Sequence, residues 1–319
     1  MLSTHRPDVL LTHPLFHVSA ETFVDRYNFH KLWESINPSQ LISQISNTCE
    51  VAVVRGPFSE KDMDKLPRLR LIAVCGVGYD GVDVLTAKSR NIQVTHTPDV
   101  LTEDVADLAF GLLLAAGRKI VQADKYVRGG FWAARGEMPY NRRVNGAKVG
   151  ILGLGRIGLA IARRCRAFDM EIAYHNRSVR KDVDYSFYSK LTELAGWSDY
   201  LVVATPGGAE TRHIVNSEVM SALGKNGILI NIGRGSNIDQ EALIGALKEG
   251  VIGGAALDVI DGEPEVPLEL LELEDNLILQ PHQASATFET RQAMVDLTLA
   301  NVDAFYSNQS LLTLVPECK

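Results

Sequence analysis

The sequence predicts an α/β protein with two doubly wound parallel sheets. Short apolar runs with the composition of buried strands alternate with helical patterns along the whole chain, and this alternation is typical of parallel sheets. A chain of 319 residues is long enough for two domains, each with its own core. Near its middle, Gly153, Gly155 and Gly158 follow a strand-like run with the spacing G-x-G-x-x-G.

The first part of the chain contains the strands of one α/β unit. Strand patterns are predicted at residues 8–11, 49–56, 69–83 and 91–95, and the third of them runs into a glycine-rich loop. An amphipathic helix is predicted over residues 23–33, after the first strand. These elements precede the glycine motif and predict a separate sheet.

The clearest helix is predicted over residues 102–120. Thr102 can cap it, and Glu103 is suited to the positive end of the helix dipole. Because this helix is apolar nearly all round, we expect it to be buried. The following segment, residues 121–148, is predicted to be irregular, and its apolar side chains, Trp132 among them, indicate a partner surface.

The glycine motif predicts a dinucleotide site because each glycine has a mechanical purpose. Gly153 allows the tight turn out of the strand, and Gly155 lets the backbone approach a pyrophosphate. Gly158 lets the following helix pack close to the sheet. The helix N-terminus then offers free N–H groups and a positive dipole end to the phosphates. The alternative is a purely structural glycine turn.

The end of the next strand predicts which dinucleotide binds. An NAD site would normally place Asp or Glu there for the ribose hydroxyls. This strand instead ends in His175, Asn176, Arg177, Ser178, Val179, Arg180 and Lys181. A guanidinium and a serine hydroxyl can bind a 2′-phosphate, which a carboxylate would repel. We therefore predict NADP(H) as the cofactor, with Asn176 in the site and Arg177 and Ser178 as the main contacts; the alternative is a solvated basic loop.

Strands and helices keep alternating to the end of the chain. Strands are predicted at residues 149–152, from Met170, and at 200–205, 227–232, 253–259 and 276–279, and helices at 217–223, 240–249 and 289–306. The last helix is expected to return the chain to the first unit. The prediction is a flavodoxin-like substrate-binding domain, residues 1–98 plus 286–319, and an NADP-binding Rossmann domain, residues 99–285. Ligands of such sheets bind beyond the carboxyl ends of the strands, which predicts an interdomain active-site cleft.

Composition narrows the function classes. A formal net charge of −7 argues against nucleic acid and anionic membranes as partners. The longest apolar run, residues 108–116, is too short to span a bilayer. The cysteines lack metal-ligand spacing, so no metal site is predicted, and without a signal peptide they indicate reduced thiols in the cytoplasm. They are Cys49, Cys75, Cys165 and Cys318.

Polar side chains follow the ends of the later predicted strands. Arg234, Glu263 and His282 each lie just beyond a strand and are expected to meet at one edge of the sheet. A 2-keto acid needs a cation for its carboxylate and a proton donor for its carbonyl oxygen, and an arginine and an imidazole can supply these. Glu263 would fix the tautomer of His282. Taken singly, the histidine could be a structural cap, the arginine a loop brace and the glutamate a turn residue.

In several longer segments, among them VGILGLGRIG and LQPHQASAT, the chain resembles the D-isomer-specific 2-hydroxyacid dehydrogenases, and the resemblance covers essentially its whole length. The resemblance is narrower to their NADP-preferring hydroxyphenylpyruvate, hydroxypyruvate and glyoxylate reductases. It is carried by the segments VCGVGYDGVD, HTPDVLTEDVADLAFGLLLAAGR, VGILGLGRIG, LINIGRG, AALDVIDGEP and LQPHQASAT.

The resemblance implies a role for each matched residue. Arg234 would anchor the substrate, His282 would be the acid/base and Glu263 its partner, while the N–H groups of Val77 and Gly78 would bind the substrate carboxylate. It further implies a cofactor site lined by Arg156, Ile157, Thr205, Pro206, Ile232, Gly233, Asp258 and Ala284. It also implies a homodimer formed through the cofactor domain.

Together with this resemblance, the sequence predicts an NADPH-dependent reductase of short 2-keto acids such as glyoxylate, hydroxypyruvate or 4-hydroxyphenylpyruvate. The products would be D-2-hydroxy acids. Arg55 stands where these reductases commonly have a small residue, and it is either a surface residue or a contact for an extra acidic group on the substrate. Two other functions stay open: oxidation of another small acid such as formate, phosphite or 3-phosphoglycerate, and dinucleotide sensing by a corepressor-like binding protein.

Overall fold

The computed structural model describes residues 6–16 and 25–318, and the chain divides into two compact units. Unit 1 consists of Met1–Leu101 with Ala286–Lys319, and unit 2 consists of Thr102–Ser285. Each unit is built on its own sheet.

Unit 1 contains a five-stranded sheet in the order β2-β1-β3-β4-β5, and all its strand pairs are parallel. This is the flavodoxin-like order. Its strands are β1 (Asp8–Leu11), β2 (Asn28–Lys31), β3 (Val51–Val54), β4 (Leu71–Val74) and β5 (Gln93–Thr95). The residues of β1, β3 and β4 are all buried, because helices cover both faces of a parallel sheet.

The helices of unit 1 follow its strands. They are α1 (Pro38–Ile45), α2 (Glu60–Asp64), α3 (Val84–Ser89) and, after the chain has passed through unit 2, α12 (Phe288–Tyr306). The helix predicted over residues 23–33 is wrong where the structure describes that stretch; residues 23 and 24 lie outside the described residues. Asn28–Lys31 form an edge strand because they pair with β1, and the side-chain amide of Asn28 donates to Asp8 Oδ1 at 2.7 Å. Pairing with a distant strand overrides the local helical spacing.

Unit 2 contains a seven-stranded sheet in the order β12-β11-β10-β9-β6-β7-β8, again entirely parallel. The reversal of order at β6 is the arrangement of a Rossmann sheet. The strands are β6 (Lys148–Leu152), β7 (Glu171–His175), β8 (Ser186–Phe187), β9 (Tyr200–Val203), β10 (Ile228–Asn231), β11 (Gly254–Leu257) and β12 (Leu277–Leu279). The predicted α/β fold with two parallel sheets is confirmed.

Helices flank this second sheet. They are α4 (Thr102–Gly117), α5 (Ile120–Arg128), α6 (Phe131–Arg135), α7 (Arg156–Arg166), α8 (Leu191–Trp197), α9 (Ser217–Leu223), α10 (Gln240–Lys248) and α11 (Leu268–Leu271). Helix α4 lies against α7, where the Arg164 guanidinium donates to Asp107 Oδ1 at 2.6 Å. The prediction that residues 121–148 are irregular is wrong for their first part, which forms most of α5 and all of α6. No residue of α5 or α6 is buried, so their apolar side chains do not pack into a core as those of most helices do.

Three further properties concern membranes, thiols and metals. In the ranges 6–16 and 25–318, no helix combines the length and apolar composition needed to cross a bilayer. The cysteines are free thiols, and Cys49, Cys75 and Cys165 are buried. Within the same ranges, His, Cys, Asp and Glu side chains form no cluster of three or more that could hold a metal ion.

Candidate active site

Arg234, Glu263 and His282 lie at one edge of the unit 2 sheet. Each follows the carboxyl end of a strand: Arg234 follows β10, Glu263 follows β11 and His282 follows β12. These strands are parallel neighbours in the sheet, so their ends meet at the same edge. This is the edge at which doubly wound sheets bind ligands.

His282 and Glu263 form a hydrogen-bonded pair. The ring Nδ1–H of His282 donates to Glu263 Oε1 at 2.5 Å, and the second carboxylate oxygen accepts from the amide of Ile260 at 3.1 Å. Their side chains are 47% and 37% exposed, so the pair faces solvent rather than the core. With Nδ1 committed to the carboxylate, Nε2 is the ring atom left for proton exchange with a ligand.

The carboxyl group of Glu263 stays ionised beside the imidazole. Burial raises its pKa, but the hydrogen bond and charge of His282, the amide of Ile260 and the charge of Arg234 together lower the pKa below the ordinary glutamate value. An ionised partner holds the ring in one orientation and one tautomer.

Asp258 holds the loop that carries His282 through hydrogen bonds. His282 has a left-handed backbone, with φ of 54°, and its amide donates to the backbone oxygen of Asp258 at 2.9 Å. The buried carboxylate of Asp258 accepts from the amides of Gln283 at 2.7 Å and Ala284 at 3.0 Å. Asp258 therefore positions the catalytic candidate, and its predicted contact with the cofactor stays a prediction.

Two buried asparagines brace Arg234. Asn237 Oδ1 accepts from the Arg234 amide at 2.7 Å, and the side-chain amide of Asn231 donates to the Arg234 backbone oxygen at 2.9 Å. The guanidinium Nη1 of Arg234 donates to Gly233 O at 2.8 Å. Sequence reasoning missed both asparagines. In the sequence, the two asparagines flank the segment IGRG, and asparagine side chains commonly hydrogen-bond to the backbone of tight turns, so their role could have been predicted.

The glycine turn has the geometry that the motif predicts. Gly153 has φ of 95°, which L side chains rarely adopt. A Cβ on Gly158 would lie 2.3 Å from Gly153 O, so only glycine lets α7 approach the turn. Around Gly155, among the described residues, nothing lies within 4 Å of a built Cβ, so its backbone is open to a ligand. Helix α7 begins directly after it, at Arg156, and Ile157 follows in its first turn.

The surroundings of the turn fit a dinucleotide. Thr205 follows β9, and its Cγ2 would lie 2.9 Å from a Cβ on Gly153. Its Oγ1 is buried and has no hydrogen-bond partner in the part of the chain that the structure describes. A buried hydroxyl without a partner is costly unless a ligand satisfies it. Pro206 is fixed nearby because its oxygen accepts from Asn237 at 3.0 Å.

The end of β7 is basic but also has acidic neighbours. Asn176 Oδ1 accepts from the Leu154 amide at 2.7 Å and thereby supports the glycine turn. Arg177 is 91% exposed, and its Nη1 donates to Glu210 Oε2 at 3.0 Å. Sequence reasoning missed Glu210, which lies 33 residues further along the chain. Ser178 is exposed beside Arg177.

Arg180 has a structural part at the same strand end. Its guanidinium donates to Leu154 O at 2.8 Å and forms an ion pair with Asp182. It therefore ties the loop after β7 to the glycine turn, which leaves Arg177 as the more accessible cation.

In unit 1, the predicted carboxylate loop follows β4 directly. The backbone oxygen of Val77 accepts from His96 Nδ1–H at 2.9 Å, and the oxygen of Gly76 accepts from the Thr97 amide at 2.9 Å. Val77 and Gly78 are partly exposed. The loop is thus held through its carbonyl groups, and its role as a carboxylate site stays a prediction.

A Rossmann sheet with this glycine turn and a histidine–glutamate pair at its carboxyl edge is typical of dinucleotide-dependent oxidoreductases. The family described as D-isomer specific 2-hydroxyacid dehydrogenase, NAD binding domain, matches residues 110–284. The chain is 46% identical over 310 residues to glyoxylate/hydroxypyruvate reductase A of Arabidopsis thaliana, covering 96% of this chain and 98% of that protein. It is 50% identical over 253 residues to hydroxyphenylpyruvate reductase of Plectranthus scutellarioides, covering 79% and 80% of the two chains.

A solved structure of a similar protein indicates the same family. The crystal structure of an NADPH-dependent glyoxylate/hydroxypyruvate reductase from Sinorhizobium meliloti, in complex with NADP and malonate, matches with a TM-score of 0.91. The sequence identity is 42%, and the match covers 98% of each chain. The chain therefore belongs to the D-isomer specific 2-hydroxyacid dehydrogenase family. The predicted enzyme class, an NADP-dependent 2-hydroxyacid dehydrogenase or 2-keto acid reductase, and the predicted cofactor, NADP(H), are confirmed.

Proposed function

We propose that the chain reduces short 2-keto acids with NADPH and releases D-2-hydroxy acids. Glyoxylate, hydroxypyruvate and aryl-pyruvates such as 4-hydroxyphenylpyruvate are the proposed substrates. The observation that carries the proposal is the His282–Glu263 pair at 2.5 Å, on the sheet edge that also carries Arg234. Relatives 46% and 50% identical are glyoxylate/hydroxypyruvate and hydroxyphenylpyruvate reductases, which supports this substrate class.

In the proposed mechanism, the bound cofactor supplies the hydride. The Arg234 guanidinium binds the substrate carboxylate and its carbonyl oxygen through parallel N–H bonds. The carbonyl oxygen gains negative charge as its carbon is reduced, and His282 Nε2–H gives it a proton. Glu263 holds the Nδ1–H side of the ring throughout, so that the proton leaves from the correct nitrogen. The amides of Val77 and Gly78 are proposed as further donors to the carboxylate.

The residues proposed to hold the cofactor fall into groups with different tasks. The glycine turn and the first turn of α7, with Gly153, Gly155, Arg156, Ile157 and Gly158, would hold the pyrophosphate. Arg177 and Ser178, next to Asn176 in the chain, would hold the 2′-phosphate, and this makes NADPH the proposed choice over NADH. The residues that would line the site of the nicotinamide and its ribose come from four loops: Thr205, Pro206, Ile232, Gly233, Asp258 and Ala284.

We also propose a cytoplasmic homodimer. Trp132 and Tyr140 are 63% and 95% exposed, and Ile120, Val127 and Phe131 near them are exposed as well. Apolar side chains concentrated in one surface segment are typical of protein interfaces. Light scattering on the purified protein measures the assembly, and a monomeric mass would contradict the dimer.

A panel of keto acids with NADPH tests the function. Wild-type protein should oxidise NADPH, seen as loss of absorbance, with at least one of the three substrates. His282→Asn should lose turnover by about a thousandfold, since one proton donor contributes 10²–10⁴-fold. Its NADPH affinity, measured by fluorescence titration, should stay unchanged. If the wild type binds NADPH but reduces none of these acids, the proposed reductase activity is refuted and a sensing protein is favoured.

A further inference from the structure

Arg55 stands at the carboxyl edge of the unit 1 sheet, directly after β3. The strands beside β3 are β1 and β4, so the loops after all three meet at this edge. The Arg55 amide donates to Thr12 Oγ1 at 3.3 Å, on the β1 side. On the β4 side, the Cys75 amide donates to Val54 O at 2.9 Å. Arg55 is therefore next to the start of the loop of residues 75–78.

An aromatic ring holds the Arg55 side chain in place. Its Cζ lies 4.3 Å from the ring centroid of Phe16, and Cζ of Arg291 lies 3.9 Å from the same centroid. Arg291 is the fourth residue of α12. Phe16 has φ of 55°, a left-handed conformation that is uncommon for a bulky residue. The ring of Phe16 thus contacts two guanidinium groups, those of Arg55 and Arg291.

Arg55 is exposed at this edge of the sheet. Among residues 6–16 and 25–318, Arg55 forms no ion pair with a carboxylate. Burial, and then the charge of Arg55, lowers the pKa of His13. Burial raises the pKa of Cys75, while the charges of Arg55 and Arg291 act in the opposite direction. Both cations therefore act on the residue that opens the loop.

We propose that Arg55, held on Phe16 and assisted by Arg291, forms a cationic subsite beside the loop of residues 75–78. The subsite selects 2-keto acids that carry a second carboxylate at the far end of the side chain, over keto acids of the same size with a neutral end. This inference rests on the proposed function, since the loop is the proposed site of the first carboxylate. A guanidinium suits a carboxylate because its N–H groups match the spacing of the two oxygens.

The test compares charged and neutral substrates of matched shape. The value of kcat/KM is measured with NADPH for 2-oxoglutarate and its terminal amide, and for oxaloacetate and 4-methyl-2-oxopentanoate, whose isopropyl end has the branched shape of the carboxylate. In the wild type, at least one charged substrate should exceed its neutral counterpart about tenfold, as expected for a charge-assisted bond at an exposed site. Arg55→Gln should abolish this preference and leave the neutral substrates unchanged, whereas Arg55→Lys should retain part of it. The preference should also fall as salt is raised, because exposed charges are screened.

A matched control separates the subsite from a general effect of charge. Arg68→Gln makes the same change at a side chain that is 63% exposed, at the opposite end of β4, and should keep the wild-type ratio. Two outcomes would refute the subsite while leaving the proposed reductase intact, provided that neutral keto acids are reduced normally. In one, the wild type shows no preference for charged over neutral substrates; in the other, Arg55→Gln keeps the wild-type ratio of the two kcat/KM values. Failure of the wild type with every keto acid would refute the proposed function itself.

Discussion

Replacing Arg177 with alanine should weaken NADPH and leave NADH unaffected. Arg177 is 91% exposed, and its partner Glu210 is 77% exposed. Among the residues that the structure describes, the guanidinium is bound only by a surface ion pair at 3.0 Å, which it must leave to bind a 2′-phosphate. NADH lacks that phosphate, so its binding does not depend on the exchange.

The expected loss of NADPH affinity follows from the free energies of two interactions, the Arg177–Glu210 ion pair and the bond from Arg177 to the 2′-phosphate. An exposed ion pair is worth about 0.5 kcal/mol. A charge-assisted hydrogen bond to phosphate is worth roughly 1.5–3 kcal/mol. The difference, about 1–2.5 kcal/mol, corresponds to a factor of roughly 5–70 in affinity. We expect the KM of NADPH to rise within this range in Arg177→Ala, and Glu210→Gln to lower it about twofold because the competing pair is removed.

Steady-state kinetics with each cofactor, at saturating keto acid, measure the effect. Arg128→Ala is the matched control, since Arg128 is 78% exposed and forms a surface pair with Asp124 at 2.8 Å in the same unit. An unchanged KM for NADPH in Arg177→Ala, or an equal loss for both cofactors, would refute the assignment of this residue to the 2′-phosphate.

Three further predictions concern the catalytic pair, the glycine turn and an acidic core group. Glu263→Gln should lower kcat about 10- to 100-fold by releasing the ring of His282, as loss of such outer partners does elsewhere, whereas Glu265→Gln next to it should retain wild-type kcat. Gly158→Ala should lower the free energy of unfolding by about 1–3 kcal/mol in urea titrations, because its Cβ would meet Gly153 O at 2.3 Å; an unchanged midpoint would contradict the close packing of α7. Burial raises the pKa of Asp8, but hydrogen bonds from neighbouring side chains outweigh burial and lower this pKa below 3.8 in the folded protein. The ionised carboxylate therefore stabilises the fold above pH 3.8, and this stabilisation is lost as the pH falls through the pKa of the folded state. Asp8→Asn should therefore cost about 1–3 kcal/mol at pH 7, and the urea midpoints of variant and wild type should converge below pH 3.8; a constant difference would contradict this.

The sequence by itself determined the elements that local composition specifies. Strands such as β3 and β9 are read directly as continuous apolar runs, because both faces of a parallel sheet are buried. The glycine turn is equally readable, since a positive φ at Gly153 and close packing at Gly158 both demand glycine. The positions of Arg234, Glu263 and His282 after successive strands follow from the same parallel pattern.

The tertiary structure decided what depends on partners distant in the chain. Residues 28–31 form a strand because β1 is beside them, and helices α5 and α6 form although no residue of theirs is buried. Glu210 reaches Arg177 across 33 residues, which the charge pattern around the strand end does not reveal. Phe16 and Arg291 come together from opposite ends of unit 1 in the same way. Periodicity reports which face of an element is buried, whereas only the packed fold fixes which side chains meet.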